Sequence, residues 1–233
     1  MNALVVAKRE FETFLVSPTA YLIGAFFLFI TGIVFSFNIV VYERATLAPV
    51  FETAGVSLIF FIPILMSHLL VREFQRGTLE LLMTSPVAMW EIVLGKFLAA
   101  FLFLMVILAP TVAYLFILIY YGQPDLPVIW VGYLGLLLFG GLVISLVVLS
   151  SAMCTSQLTA IILSITLAAF FWLIGRLDSV INGEVGTILA YLSSQHHFLD
   201  FVVGIMTLSN ITYFITMIVG VLYLTTHILK MRL

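Results

Sequence analysis

The chain has 233 residues, of which 64% are hydrophobic and only 9% charged, with a formal net charge of −2. A mean hydropathy of +1.28 excludes an ordinary water-soluble domain, and the near-neutral charge excludes a nucleic-acid partner. Apolar runs of about 20 residues recur along the chain, each long enough to cross a hydrocarbon layer of about 30 Å as a helix.

These runs predict an all-α polytopic membrane protein that forms a single transmembrane domain over residues 1–233. Helices and closed barrels are the structures that satisfy backbone polar groups in lipid, and no alternating strand pattern suggests a barrel. The first segment, residues 1–17, carries Leu4, Ala7, Phe11, Phe14 and Leu15 on one helical face and Lys8, Arg9, Glu10 and Glu12 around the rest. That pattern predicts an amphipathic helix lying in the membrane interface. Ser17-Pro18 ends it, because a residue before proline is pushed out of the α region. The following run is too long for a signal-peptide core and lacks a small-residue cleavage site, so it reads as a retained first span.

Six transmembrane helices are expected at about 19–41, 53–71, 97–121, 128–151, 157–175 and 207–229. Six crossings place both termini on one side, together with residues 72–96. That side holds Lys8, Arg9, Arg72, Arg76, Lys96, Lys230 and Arg232, against Arg44 and Arg176 on the other. The asymmetry of basic residues predicts cytoplasmic termini.

Residues 72–96 form a charged island containing Arg72, Glu73, Arg76, Glu80, Glu91 and Lys96, and charges in so apolar a chain are expected to sit in water and touch something. Gly77 interrupts the preceding helix, Thr78 can cap a short new one, and Glu80 falls in its first turn, where the helix dipole favours an anion. Ser85-Pro86 ends that short helix and opens the next. Leu79, Leu81, Leu82 and Met83 are too apolar for a free loop, so the 72–91 segment is expected to pack on the bilayer or in a partner's groove.

Inside the spans the polar residues are mild: Thr31, Ser36, Asn38, His68, Thr111, Ser145, Ser164, Thr166, Thr212 and Thr216. Most such hydroxyls bond a carbonyl one turn back. Asn38 and His68 are the better candidates for a translocation pathway, although His68 lies near a membrane end, where a bond across helices is the simpler role. No acid or base is expected deep in a span, which argues against an ion-driven carrier. Gly32 with Ser36, Gly141 with Ser145 and Ser164 with Ala168 allow close helix approach, within the chain or at a dimer seam. Pro63 and Pro110 predict kinks in the second and third spans, as hinges or as fixed bends.

The outer segment 176–206 predicts two short helices, near 184–192 and near 196–206, lying flat or dipping in. His196-His197 suggests no metal site, since adjacent helical residues point about 100° apart and no third ligand is close. A lone Cys154 excludes an internal disulfide. No hydrolase or metalloprotease motif and no phosphate-binding Gly-x-x-x-x-Gly-Lys-Ser/Thr is present; Gly95-Lys96 lacks the upstream glycine. The chain is therefore read as no enzyme.

The run REFQRGTLELLMTSPVAMWEIVLGKFLA resembles the signature of permease subunits of type-2 ABC exporters, particularly the short six-span group of gliding-motility and nitrous-oxide-reductase-maturation permeases. HFLDFVVGIMTLSNITYFITMIVGVLYLTTHIL is similar to that family's C-terminal pattern. The resemblance implies a multi-pass subunit of the bacterial inner membrane, forming a homodimer in contact with membrane lipid and binding two separate ABC ATPase chains. ATP and Mg would sit on those ATPase chains, and this chain would bind no cofactor. It further implies that the short helix in 72–91 is a coupling helix seated in the ATPase, with Glu73, Gln75, Arg76, Gly77, Thr78, Glu80 and Leu81 as coupling positions. The N-terminal helix would lie beside it, with Lys8, Arg9, Glu10, Phe11 and Glu12 at the interface, and the outer helices would form a lid. The implied function is ATP-driven export of an unidentified substrate. The alternative is mechanical transmission to a periplasmic or membrane partner, an accessory protein with a periplasmic domain, without solute movement. A channel is disfavoured by the lack of pore signatures.

Overall fold

The computed structural model describes residues 2–40, 46–76, 88–175 and 191–232. All regular structure among them is helical: α1 (Asn2–Val16), α2 (Pro18–Val40), α3 (Ala48–Met66), α4 (His68–Arg76), α5 (Met89–Leu108), a single 3₁₀ turn (Ala109–Thr111), α6 (Val112–Tyr121), α7 (Leu126–Met153), α8 (Gln157–Leu173), α9 (Ser194–Val202) and α10 (Leu208–Arg232). Among the described residues, five stretches are long and apolar enough to cross a membrane: Pro18–Val40, Ala48–Val71, Met89–Tyr121, Leu126–Met153 and Leu208–Met231. Gln157–Leu173 is apolar but shorter, at 17 residues.

The two prolines differ in effect: Pro63 lies inside α3, which runs on unbroken to Met66, whereas Pro110 sits at a break in the helix. Beyond Pro63, α3 stops at Met66 and the chain turns at Ser67, whose N–H bonds the Pro63 carbonyl at 3.0 Å before α4 resumes. Pro110 sits in the 3₁₀ turn between α5 and α6, where it removes the bond that would otherwise reach the Val106 carbonyl.

The centre of the bundle is α7, buried on nearly every side and packed against α3, α5, α8, α9 and α10. Lipid tails are as apolar as leucine, so what holds these helices together is close packing rather than exclusion of water. Gly132 shows how closely: a Cβ there would occupy the space of the Phe51 ring from α3. The middle of α7 carries Phe139, whose ring meets Trp172 of α8 at 5.0 Å and Phe198 of α9 at 5.3 Å. By contrast α2 and α10 present Phe26, Phe29, Phe37, Ile215, Val219 and Tyr223 outward, a surface suited to lipid.

Of the segment 176–206, the described part packs into the bundle through α9. Phe198 and Phe201 of α9 are fully buried, and α9 ends at Val202, before Gly204 turns the chain with φ +88°. The expected companion helix near 184–192 falls largely outside the described residues.

Bonds between chain-distant groups pair the helix ends. Asn38 Nδ2 donates to the Thr46 carbonyl at 2.6 Å, joining the end of α2 to the start of α3. Gln75 Nε2 donates to the Thr155 carbonyl at 3.0 Å, joining the end of α4 to the α7–α8 turn. Ser193 Oγ donates to the Trp172 carbonyl at 3.4 Å, at the far end of α8.

Candidate functional site

Among the described residues, α1 carries Lys8, Arg9, Glu10, Phe11 and Glu12 of the expected interface, and α4 carries Glu73, Gln75 and Arg76 of those expected to couple. Helix α1 packs lengthwise on α5. Ala7 and Phe14 are buried there, with Phe11 and Leu15 against the same core. Leu4 departs from the expected apolar face: it is exposed, although Ala3 and Val6 on either side of it in the chain meet α5. The close approach depends on Gly95, where a Cβ would lie 2.8 Å from the Ala3 carbonyl oxygen and 2.9 Å from Val6 Cβ.

Next to Gly95, Lys96 corrects the sequence expectation. Read as part of a water-facing island, it is instead only 1% exposed. Its ammonium donates to Glu10 Oε1 at 3.1 Å and to the Leu69 carbonyl at 2.6 Å. One buried cation thus ties α1, α4 and α5 together. A buried ammonium is stable only with such partners, and removing one of them costs about 3–5 kcal/mol. The break at Ser67 starts α4 afresh at His68, so Leu69 opens that helix beside the ammonium.

Three of the proposed coupling positions fall on α4, which supplies the Leu69 carbonyl to this clasp. Glu73 and Arg76 fall on α4, with their side chains outside the description, and Gly77, Thr78, Glu80 and Leu81 lie outside the described residues. Gln75 is described, and its bond to Thr155 fixes the C-terminal end of α4. On the return, Glu91 Oε2 accepts the Ala88 N–H at 3.2 Å, which steadies the first turn of α5. Ala88 has no side-chain oxygen to return the bond, so only half of a capping box forms. The remaining interface residues point elsewhere: Lys8 and Glu12 form an exposed pair at 4.0 Å, and Arg9 and Glu12 border a cleft.

The pathway candidates have structural partners. Asn38 is buried and engaged with Thr46. His68 is half-buried at the rim of the same cleft, with its ring 5.7 Å from that of Phe14. Each of the eight hydroxyl residues bonds back along its own helix, for example Thr31 to Phe27 at 3.0 Å and Ser145 to Leu142 at 2.7 Å. Of these, Thr31 and Thr111 also reach across to tyrosines, Tyr114 at 3.3 Å and Tyr133 at 3.1 Å.

A second polar cluster, at the α9 end, was not legible from sequence beyond its histidine. His197 Nδ1 lies 2.7 Å from Asn210 Oδ1, and its Nε2 lies 2.9 Å from the Tyr191 carbonyl. Asn210 Nδ2 donates to Asp200 Oδ2 at 2.9 Å. The imidazole stacks on Tyr213 at 4.2 Å, and the Tyr213 hydroxyl donates to the Leu192 carbonyl at 2.7 Å. His197 thus docks α9 onto α10.

A comparison with curated proteins finds no match. Comparison with protein-family models matches residues 4–229 to the family described as ABC-2 family transporter protein. The match runs through α1, the Lys96 clasp, the central α7 and most of α10. With its membrane-crossing helices, the chain belongs to the ABC-2 transporter family, as a multi-pass permease subunit.

Proposed function

We infer that this permease couples ATP hydrolysis on a separate ATPase subunit to export of a substrate across the bacterial inner membrane, working as a homodimer with two ATPase chains. Six crossings are the arrangement the helix lengths favour. At about 1.5 Å per residue, the 17 residues of α8 span about 26 Å, near the hydrocarbon thickness. Its two ends are bonded to opposite ends of the bundle, through the Thr155 turn and the Trp172 carbonyl. The seven-to-two distribution of basic residues supports cytoplasmic termini.

The observation that carries the reading is the Lys96 clasp. The segment between α4 and α5 is the one expected to seat in the ATPase, and both helices that hold it are bonded to the same ammonium, together with α1. A push on that segment is therefore delivered to a braced three-helix unit, where a loose loop would absorb it.

The test is co-purification of the permease with its ATPase and measurement of ATP hydrolysis. Glu80→Lys reverses a charge in the first turn of the expected coupling helix, and Gly77→Pro restricts the backbone where α4 ends. Both variants are expected to reach the membrane at wild-type abundance yet lose the ATPase subunit or its stimulation. Full complex formation and stimulation in both would sink the reading.

A further inference from the structure

Beside α1 lies a cleft of about 690 Å³, in the size range of ligand pockets. It opens between the second half of α1, the start of α2, the end of α3 and the start of α8. Its polar wall is formed by Arg9, Glu12, Ser17, His68 and Gln157. Its floor includes Ile23 and Leu65, and both of these also line a narrow fissure that continues between α2, α3 and α5. That fissure is bounded by apolar residues throughout, Phe27, Phe61 and Leu104 among them. The fissure itself holds only about 10 Å³, too little for an acyl chain, so a lipid seated here would place its headgroup in the cleft and its chains along the outer face of α2, where Leu22, Phe26 and Phe29 are exposed.

The charges narrow the headgroup. Arg9 and Glu12 are three positions apart on α1, so they are neighbours on one helix face. One cation and one carboxylate side by side complement a group that carries both signs. Arg9 makes no ion pair among the described residues, and its guanidinium suits a phosphate as a bidentate donor. Glu12 has only a loose partner in Lys8, at 4.0 Å, with side chains 62% and 80% exposed. Such a pair is worth little and is readily exchanged. A purely anionic headgroup would meet Glu12 unfavourably, and a choline headgroup offers no N–H to it.

The geometry points to a binding site for a zwitterionic ethanolamine phospholipid, with its phosphate on Arg9 and its ammonium on Glu12. The Lys96 clasp faces the other side of α1, so a lipid seated here would brace the same helix from its membrane side.

The test is native mass spectrometry of the delipidated full-length protein, titrated with dioleoyl phosphatidylethanolamine, phosphatidylcholine or phosphatidylglycerol. Phosphatidylethanolamine is expected to bind most tightly, by roughly tenfold, the worth of one charge-assisted bond. Arg9→Gln should lower binding of phosphatidylethanolamine and phosphatidylglycerol alike by roughly tenfold. Glu12→Gln should abolish the preference, with phosphatidylglycerol rising to match. Both side chains are exposed, so both variants keep the fold, and an unchanged melting temperature verifies it. Headgroup-independent binding, or wild-type selectivity in both variants, overturns the site. So does a disulfide between two copies carrying Thr13→Cys in a Cys154→Ser background, with no lipid bound, because a second chain then fills the cleft.

Discussion

Glu10 and Lys96 stand 86 positions apart in the chain, yet their charged atoms meet at 3.1 Å inside the bundle. Their burial is unequal: the Lys96 side chain is 1% exposed and the Glu10 side chain 17%. That asymmetry sets the order of damage. Glu10→Leu leaves an ammonium buried without its carboxylate and is expected to cost about 3 kcal/mol or more. Lys96→Met leaves a carboxylate that water can still reach and is expected to cost less, about 1–2 kcal/mol, mainly the lost bond to Leu69. The double variant should recover part of the Glu10→Leu loss. Thermal unfolding of the four proteins in one detergent measures all three values, and a Lys96→Met variant less stable than Glu10→Leu contradicts the argument.

Gly95 tests the same junction by shape. Its missing side chain admits the backbone of α1, and the neighbour a Cβ would strike is the Ala3 carbonyl, which is not a flexible side-chain tip. Gly95→Val is expected to push α1 away from α5, at a cost of about 1–3 kcal/mol. Limited proteolysis should then cut within residues 1–17 faster than in the wild type. An unchanged cleavage rate would mean that α1 is not held at this point.

Most of the fold was legible because it depends on short-range pattern. The apolar runs, Ser17-Pro18 at the α1–α2 junction and the break at Pro110 are all local. So is the tendency of Thr31 or Ser145 to bond its own helix. Lys96 was misread for the opposite reason. Beside Glu91 in sequence it looks like a surface charge, and only the fold brings up Glu10 and the Leu69 carbonyl. The adjacent Gly95 was the one available hint, since a glycine inside a helix often marks a close approach. Likewise His197 stood out in sequence, but Asn210, Asp200 and Tyr213, which give it a role, sit on other turns or on another helix.

The hydroxyl residues yield a prediction of silence. Ser145 is fully buried and bonds Leu142 at 2.7 Å, so Ser145→Ala removes a donor together with its need for a partner. Stability should change by no more than about 0.5 kcal/mol, and stimulation of the ATPase should be unchanged. A specific loss of stimulation at normal stability would instead place Ser145 on the substrate path.

The two adjacent histidines should differ sharply. His196 is exposed, whereas His197 is held between Asn210 and Tyr191. Asn210→Leu strands both the His197 nitrogen and the Asp200 carboxylate, at an expected cost of about 2–3 kcal/mol. His196→Ala should stay within about 0.5 kcal/mol of the wild type. Melting temperatures of the two purified variants check the contrast, and equal effects would remove the docking role assigned to His197.

The orientation of the bundle can be tested at two exposed positions on opposite faces. Asp125 precedes α7 on the face where α6 ends, and Gln75 closes α4 on the face where α1 lies. The stretch Met89–Tyr121 separates them and is long enough to cross the membrane. Basic residues cluster on the Gln75 side, and such residues are retained in the cytoplasm, so Asp125 is expected outside. In a Cys154→Ser background, Asp125→Cys should therefore react with an impermeant thiol reagent in intact cells, and Gln75→Cys should react only after the cells are opened. Gln75→Cys gives up a single exposed hydrogen bond to Thr155, too little to disturb insertion. Reversed labelling would put α1, the Lys96 clasp and the segment between α4 and α5 on the side without ATP, where no ATPase could engage them, and the coupling role would fall with the topology.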